Sequence, residues 1–401
     1  MSRYSRVGAL TVGFVLVFSM LPVPDTAGAS SPQLDSISLS FPTAQRGYVL
    51  SLFDCAAKTC AALRGTDDAS SSWGAIPIPR QLKQSLKLAS WGTYNTAYPM
   101  LTVHFADASN GWIYGVVPAP VTRTSTNPNW VNRLWSTHDG GRAWSEVRLD
   151  PRSLDVVQMA SHGDWTYLFG ASFQIGRAVL LATHSNSDQW TSTSSARIEL
   201  PAGGTQLTGS FTFAGSNGWF VAGNDRGFTA SARLLRNGSW GAWNGPTYEK
   251  FDASFTPIYA VTNRMLLAED DTAGFVYPPA STVPPGWNNG ATWLFISYDE
   301  GATFKPFREL SRAYNATYST GPGLPAAPAP GTILLQRTTT SGYYLMRSAN
   351  WGRTWQVVLR RPVTQVVFTS RTTGFAIVQL GSKYSLFRTT DTGSHWVKVN
   401  V

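Results

Sequence analysis

An eight-residue frame recurs along this chain and narrows what it can fold into. Ser348-Ala349-Asn350-Trp351-Gly352-Arg353-Thr354-Trp355 is one copy, and Thr389 to Trp396, Ser297 to Phe304 and Thr137 to Trp144 repeat it. Each copy places a hydroxyl residue first, Asp or Asn third, Gly fifth and an aromatic eighth. Each lies between two runs of alternating apolar residues, the pattern of half-buried strands. The spacing predicts a tight hairpin turn. The side chains of Asp139, Asp299, Asn350 and Asp391 can accept backbone N–H groups inside it, and Gly141, Gly301, Gly352 and Gly393 supply a positive φ. Trp144, Phe304, Trp355 and Trp396 then open the next strand and can pack between neighbouring sheets. These residues are expected to be structural, not catalytic.

Weaker copies fill the gaps. Thr66 to Trp73 fits with Ser70 at the glycine position, Thr183 to Trp190 fits only at its ends, and Arg236 to Trp243 is looser, with Gly238 at the Asp position. A second motif runs in phase with the first: Phe41…Gly47-Tyr48, Phe105…Gly111-Trp112, Phe213…Gly218-Trp219 and Phe368…Gly374-Phe375. It reads as the turn between the first two strands of a unit. Taking Trp73, Trp144, Trp190, Trp243, Phe304, Trp355 and Trp396 as anchors gives seven units; six remain allowed, because the count leans on the weak copies. The expected fold is all-β: a seven-bladed β-propeller of four-stranded antiparallel blades, closed by packing of complete blades.

The frame resembles the Asp-box, or BNR repeat, of β-propellers. That superfamily includes sialidases, xyloglucan-cleaving glycosidases, sortilin-type receptors and photosystem II assembly factors. The Gly-aromatic pair ahead of T-x-D-x-G-x-x-W is most similar to the last group, though weakly in the third and fourth units. The resemblance implies an architecture and not an activity, because one fold carries many functions. A sialidase would bring three carboxylate-binding arginines, a Tyr–Glu nucleophile pair, an Asp acid/base and an early Arg-Ile-Pro motif. The nearest early match here, Ile76-Pro77-Ile78-Pro79-Arg80, has the wrong order.

Residues 1–29 read as a secretory signal peptide. Arg3 and Arg6 form the basic start, Val7 to Leu21 the apolar segment and Ala27-Gly28-Ala29 the cleavage site. A single propeller domain would then occupy residues 30–401, secreted or otherwise extracytoplasmic, with cell-surface association allowed. In such a compartment Cys55 and Cys60 are predicted to form a hairpin disulfide. The formal charge of +9 falls to +8 once Arg3, Arg6 and Asp25 leave with the signal. That suits either plain solubility or an anionic partner. The basic residues are scattered, apart from a local cluster of Arg80, Lys83 and Lys87. No nucleic-acid motif appears, and no cofactor, metal site or membrane span after cleavage is expected. His104, His138, His162, His184 and His395 are scattered, and the chain is expected to act as a monomer.

Long insertions at 80–99, 118–130, 270–290 and 310–331 should all fall on the face opposite the frame turns. Such loops on a rigid scaffold commonly carry binding. Trp130, Tyr277 and Trp287 are the binding candidates, able to stack on sugar rings or clamp a peptide. Glu269-Asp270-Asp271 is the one dense acidic site. Glu269 and Asp270 are weak catalytic candidates, since a glycosidase needs two carboxyl groups flanking the bond; a solvated turn at a strand end is the favoured reading of them. The expectation is a non-enzymatic module that binds an extracellular glycan, cell-wall polymer or protein, with an extracellular glycosidase as the alternative.

Overall fold

The computed structural model describes residues 35–88, 101–119, 129–149, 154–172, 177–193, 198–199, 207–224, 227–235, 238–243, 255–260, 265–270, 293–309, 317–319, 326–339 and 342–401. Their strands form seven antiparallel sheets in chain order, five of four strands and two of five. The first sheet, Asp35–Ser40, Gly47–Cys55, Lys58–Thr66 and Gly74–Ile76, is a simple meander. Inner strands of successive sheets touch: Asp35–Ser40, Leu101–Phe105, Asp155–His162, Leu207–Ala214, Phe255–Ala260, Ala326–Ala329 and Val363–Phe368. Val363–Phe368 in turn touches Asp35–Ser40, so the ring closes. Sheets laid radially around a ring with four-stranded antiparallel blades make an all-β propeller. Among the described residues no strand is shared between the first and last sheets, and these sheets meet by packing. No helix among the described residues is long and apolar enough to cross a membrane.

The two sequence motifs build one joint, repeated. Gly111 lies opposite Phe105, Gly218 opposite Phe213 and Gly374 opposite Phe368 in the ladder between first and second strands. A Cβ on any of these glycines, or on Gly47, would come within 3.0 Å of its phenylalanine ring. The glycine is a seat for the ring. The aromatic that follows it, Tyr48, Trp112, Trp219 or Phe375, is fully buried and reaches the neighbouring sheet. Tyr48 stacks on Phe105 at 3.4 Å between ring centres, and Phe375 stacks on Phe41 at 3.8 Å. The eighth residue of the frame closes the joint edge-on: Trp73 against Phe41, Trp144 against Phe105 and Trp396 against Phe368. Each joint is apolar and holds one sheet to the next, where the core lies.

Two expectations need correction. The segment 310–331, expected as one long loop, contains Thr317–Ser319 and Ala326–Ala329, which both pair with Thr332–Thr339. In the fourth sheet the tight turn is Leu235 to Gly238, closed by the Gly238 N–H on the Leu235 carbonyl. The outer strand there starts at Trp240, not after Trp243. The local sequence is too rich in Gly and Trp to betray which aromatic begins the strand.

Candidate binding face

The ends of the sheets differ in chemistry. Gly47 pairs with Thr66, Gly111 with Thr137 and Gly374 with Thr389. The first-to-second-strand turns and the frame turns therefore share one end of the ring. The second-to-third hairpins and the links between sheets occupy the other.

At the frame end, five turns use the same hydrogen bonds. The first-position hydroxyl accepts the fifth-position N–H: Ser70 to Thr66, Gly141 to Thr137, Gly301 to Ser297, Gly352 to Ser348 and Gly393 to Thr389. The third-position Oδ1 accepts the seventh-position N–H at 2.9 Å in Asp68, Asp139, Asp299, Asn350 and Asp391. The fourth and fifth residues are both left-handed, as with Gly140 at φ 74° and Gly141 at 89°, and Ser70 takes φ 77° without being glycine. Hydrogen bonds from Ser72 and Thr66 hold the Asp68 carboxyl down to about 2. At Asp299 and Asp391 partial burial pushes upward, but the turn donors win and the carboxyls also lie at about 2. With their oxygens engaged inside the turn, these carboxylates are poorly placed for chemistry on a substrate. Thr183 to Trp190 departs from the pattern: Thr183 donates to the Ser187 carbonyl instead.

The opposite end holds the described site candidates. Trp130 stands in the strand Asn129–Thr137, opposite Pro118, and is 39% exposed. Strand alternation puts Trp130, Asn132 and Leu134 on one side, and Val131 and Trp135 on the other, against the first sheet. On the same side of the strand as Trp130, Asn132 and Leu134 line a cleft of about 300 Å³ with Leu149, Leu154 and Val156. Arg133 and Glu146 close its outer rim, Nη1 donating to Oε1 at 2.7 Å. An exposed indole on the strand that walls a cleft of mixed polar and apolar lining, with an amide and a charged rim, suits a ring-shaped group with polar edges.

Beside it, the helix Arg80–Leu86 fills the gap between first and second sheets. Leu82 and Leu86 are buried in the core there, while Arg80, Lys83 and Lys87 are exposed. Leu88, past the helix end, is exposed at 43%. Cys55 and Cys60 are joined at the hairpin tip of the first sheet, with Cα atoms 5.9 Å apart. Glu269 and Asp270 end the strand Leu266–Asp270, opposite Leu294 and Trp293; their side chains, with Tyr277 and Trp287, lie outside the described residues.

Three groups had no signal in the sequence. Asp35 and Asp155 begin the inner strands of the first and third sheets. Burial raises both carboxyls above the usual range, partly offset at Asp35 by the Tyr384 N–H. His104 Nε2 lies 2.7 Å from Ser161 Oγ, which continues to Thr166 at 2.8 Å and Ser185 at 2.9 Å. Burial alone pushes His104 down to about 4, so the ring is neutral at pH 7 and no carboxylate orients it. A serine beside an unoriented imidazole lacks the third group that nucleophilic sites use; this chain fastens the second sheet to the third.

No protein-family model and no curated protein matches the chain. Solved structures do. A puromycin hydrolase aligns with TM-score 0.54 and 12% identity over 94% of this chain and 54% of that one. An ulvan lyase, described as a new family of polysaccharide lyase, gives 0.53 and 10% over 92% and 97%. A puromycin-hydrolyzing peptidase of Mycobacterium tuberculosis gives 0.52 and 12% over 92% and 53%. At these identities the likeness is one of fold.

Proposed function

We propose that this chain is an exported, seven-bladed propeller of the Asp-box type whose loop-rich face binds an extended extracellular glycan. Each of the seven sheets is read as one blade. The observation that carries the reading is the exposed Trp130 on the strand whose Asn132 and Leu134 wall a cleft with Leu149 and Leu154. Stacking on an indole face with an amide at the edge suits a pyranose ring. The joined pair Cys55–Cys60 suits an oxidising compartment. The same fold holds an oligosaccharide in an ulvan lyase, so the architecture accommodates such ligands. The test is a glycan and peptide array on the purified chain beside its Trp130→Ala variant. Glycan binding that falls about tenfold or more in the variant supports the reading. Binding to peptides alone, or binding indifferent to Trp130, contradicts it.

The glycosidase alternative draws on the raised carboxyls of Asp35 and Asp155, which could serve as acids. They begin the first and third sheets, with the second sheet between them, which disfavours two carboxyls flanking one bond. Turnover of aryl glycosides that disappears in Asp155→Asn would reverse the preference.

A further inference from the structure

The two ends of the ring arrange their charges differently. At the frame end the acids Asp68, Asp139, Asp299 and Asp391 are kept ionised by the turns themselves. Asp67, Asp107, Asp188 and Glu300 stand beside them. Arg46 and Arg233 are paired to Asp67 and Glu300. Other described cations stand here as well: Arg142, Arg353, Arg371, Lys305 and Arg347, whose Nε donates to the Thr392 carbonyl.

The loop-rich end differs. The helix gives it Arg80, Lys83 and Lys87, all exposed, and has no acid in its first turn. Exposed Lys58 and Lys383 begin the third strands of the first and seventh sheets, at the hairpin tips. Exposed Arg148 and Arg361 stand in the links leaving the second and sixth sheets. Described acids close to these cations are few, the acidic strand end Glu269-Asp270 belonging to the fifth sheet. The Asp54 carboxylate takes the Ala57 N–H at its own hairpin tip, and Asp35 and Asp155 are withdrawn, their carboxyls raised by burial. Since the seventh sheet packs on the first, the cations trace an arc from the sixth-to-seventh link through the first and second sheets. The arc ends at the cleft that Arg148 and Asn132 line, on the strand that carries Trp130.

We infer that the loop-rich face takes an acidic polysaccharide, a chain of sugar rings bearing carboxylate or sulfate. The inference rests on the glycan reading above and names the ligand's charge. Exposed cations spaced along an arc suit a polymer with repeating anions better than one small ion. Trp130 supplies the ring contact that charge alone would lack.

The test measures binding of the purified chain to polygalacturonate and dextran sulfate, with neutral dextran and phosphatidylglycerol vesicles as comparison arms. Three solutions are compared: wild type, the triple variant Arg80→Gln/Lys83→Gln/Lys87→Gln, and the frame-face variant Arg142→Gln/Arg353→Gln. All substituted side chains are exposed, and circular dichroism verifies folding. The expected result is binding to one or both charged polysaccharides that falls about tenfold or more in the triple variant. Binding should fall similarly from about 50 to about 500 mM salt and stay unchanged in the frame-face variant. Equal loss in both variants, or binding to vesicles alone, overturns the inference. A neutral glycan bound through Trp130 and indifferent to the triple variant overturns it while leaving the glycan reading intact. Binding to no glycan overturns both.

Discussion

Gln365 clasps the backbone of Leu39 across 326 residues of sequence: its Oε1 accepts the Leu39 N–H and its Nε2 donates to the Leu39 carbonyl, both at 2.9 Å. The bond pair joins the inner strand of the last sheet to that of the first. Asp35 adds a second link by accepting the Tyr384 N–H at 3.1 Å. Closure of the ring thus has a polar lock beside the stacked Phe41 and Phe375.

Replacing that lock should be costly. Gln365→Leu leaves the Leu39 amide and carbonyl without these partners, and one or two unmet buried groups cost about 2–4 kcal/mol. Urea unfolding should show a lower midpoint. An unchanged midpoint would mean that the apolar joint alone closes the ring.

The glycine seats give a sharper contrast. In Gly111→Ala the new methyl meets the Phe105 ring, and in Gly141→Ala it meets Ile76 at a φ of 89°. Each should destabilise by about 2–4 kcal/mol. Ser70→Gly should stabilise by about 0.5–1 kcal/mol, because the serine already sits at φ 77°. Thermal melts of the three variants check the order; a stabilised Gly141→Ala would contradict the turn assignment.

His104 predicts a pH dependence. Its folded pKa of about 4 lies below the ordinary 6.5, so the unfolded chain takes up the proton first. Its contribution is whole above about pH 6.5 and is lost as pH falls toward 4, roughly 2–3 kcal/mol in all. His104→Asn should flatten the fall in stability over that window relative to wild type. Identical slopes would place the ring in water.

Reduction of the Cys55–Cys60 bond should cost about 2 kcal/mol at most, since the loop it closes is short. Denaturation with and without reductant measures this, and total unfolding on reduction would contradict a bond confined to one hairpin tip.

What the sequence revealed and what it hid follow from range. The turns at Thr137 to Trp144 or Thr389 to Trp396 are closed by residues within four positions of one another, so spacing alone exposed them. The Phe–Gly seats were equally legible, being a few residues apart. Even Ser70 could be placed, because its neighbours kept the frame. The Gln365 lock, the His104 chain and the buried Asp35 and Asp155 join or occupy different sheets, and no local pattern marks them. Trp130 was legible as an aromatic after a long insertion; the cleft beside its strand depended on Leu149 and Leu154 arriving after the second sheet. The cation arc was hidden too. Arg361, Lys383, Lys58 and the helix cations, far apart in sequence, come to one end because links and second hairpins turn there.

Hydrogen exchange with and without polygalacturonate tests the central claim, that the loop-rich end is the binding face, most directly. The account predicts slowed exchange at the Cys55–Lys58 hairpin, the helix Arg80–Leu86 and the stretch from Trp130 to Asn132, with the turns at Thr66 to Trp73 and Thr137 to Trp144 unchanged. Protection concentrated on those turns, with the opposite end indifferent, would contradict it.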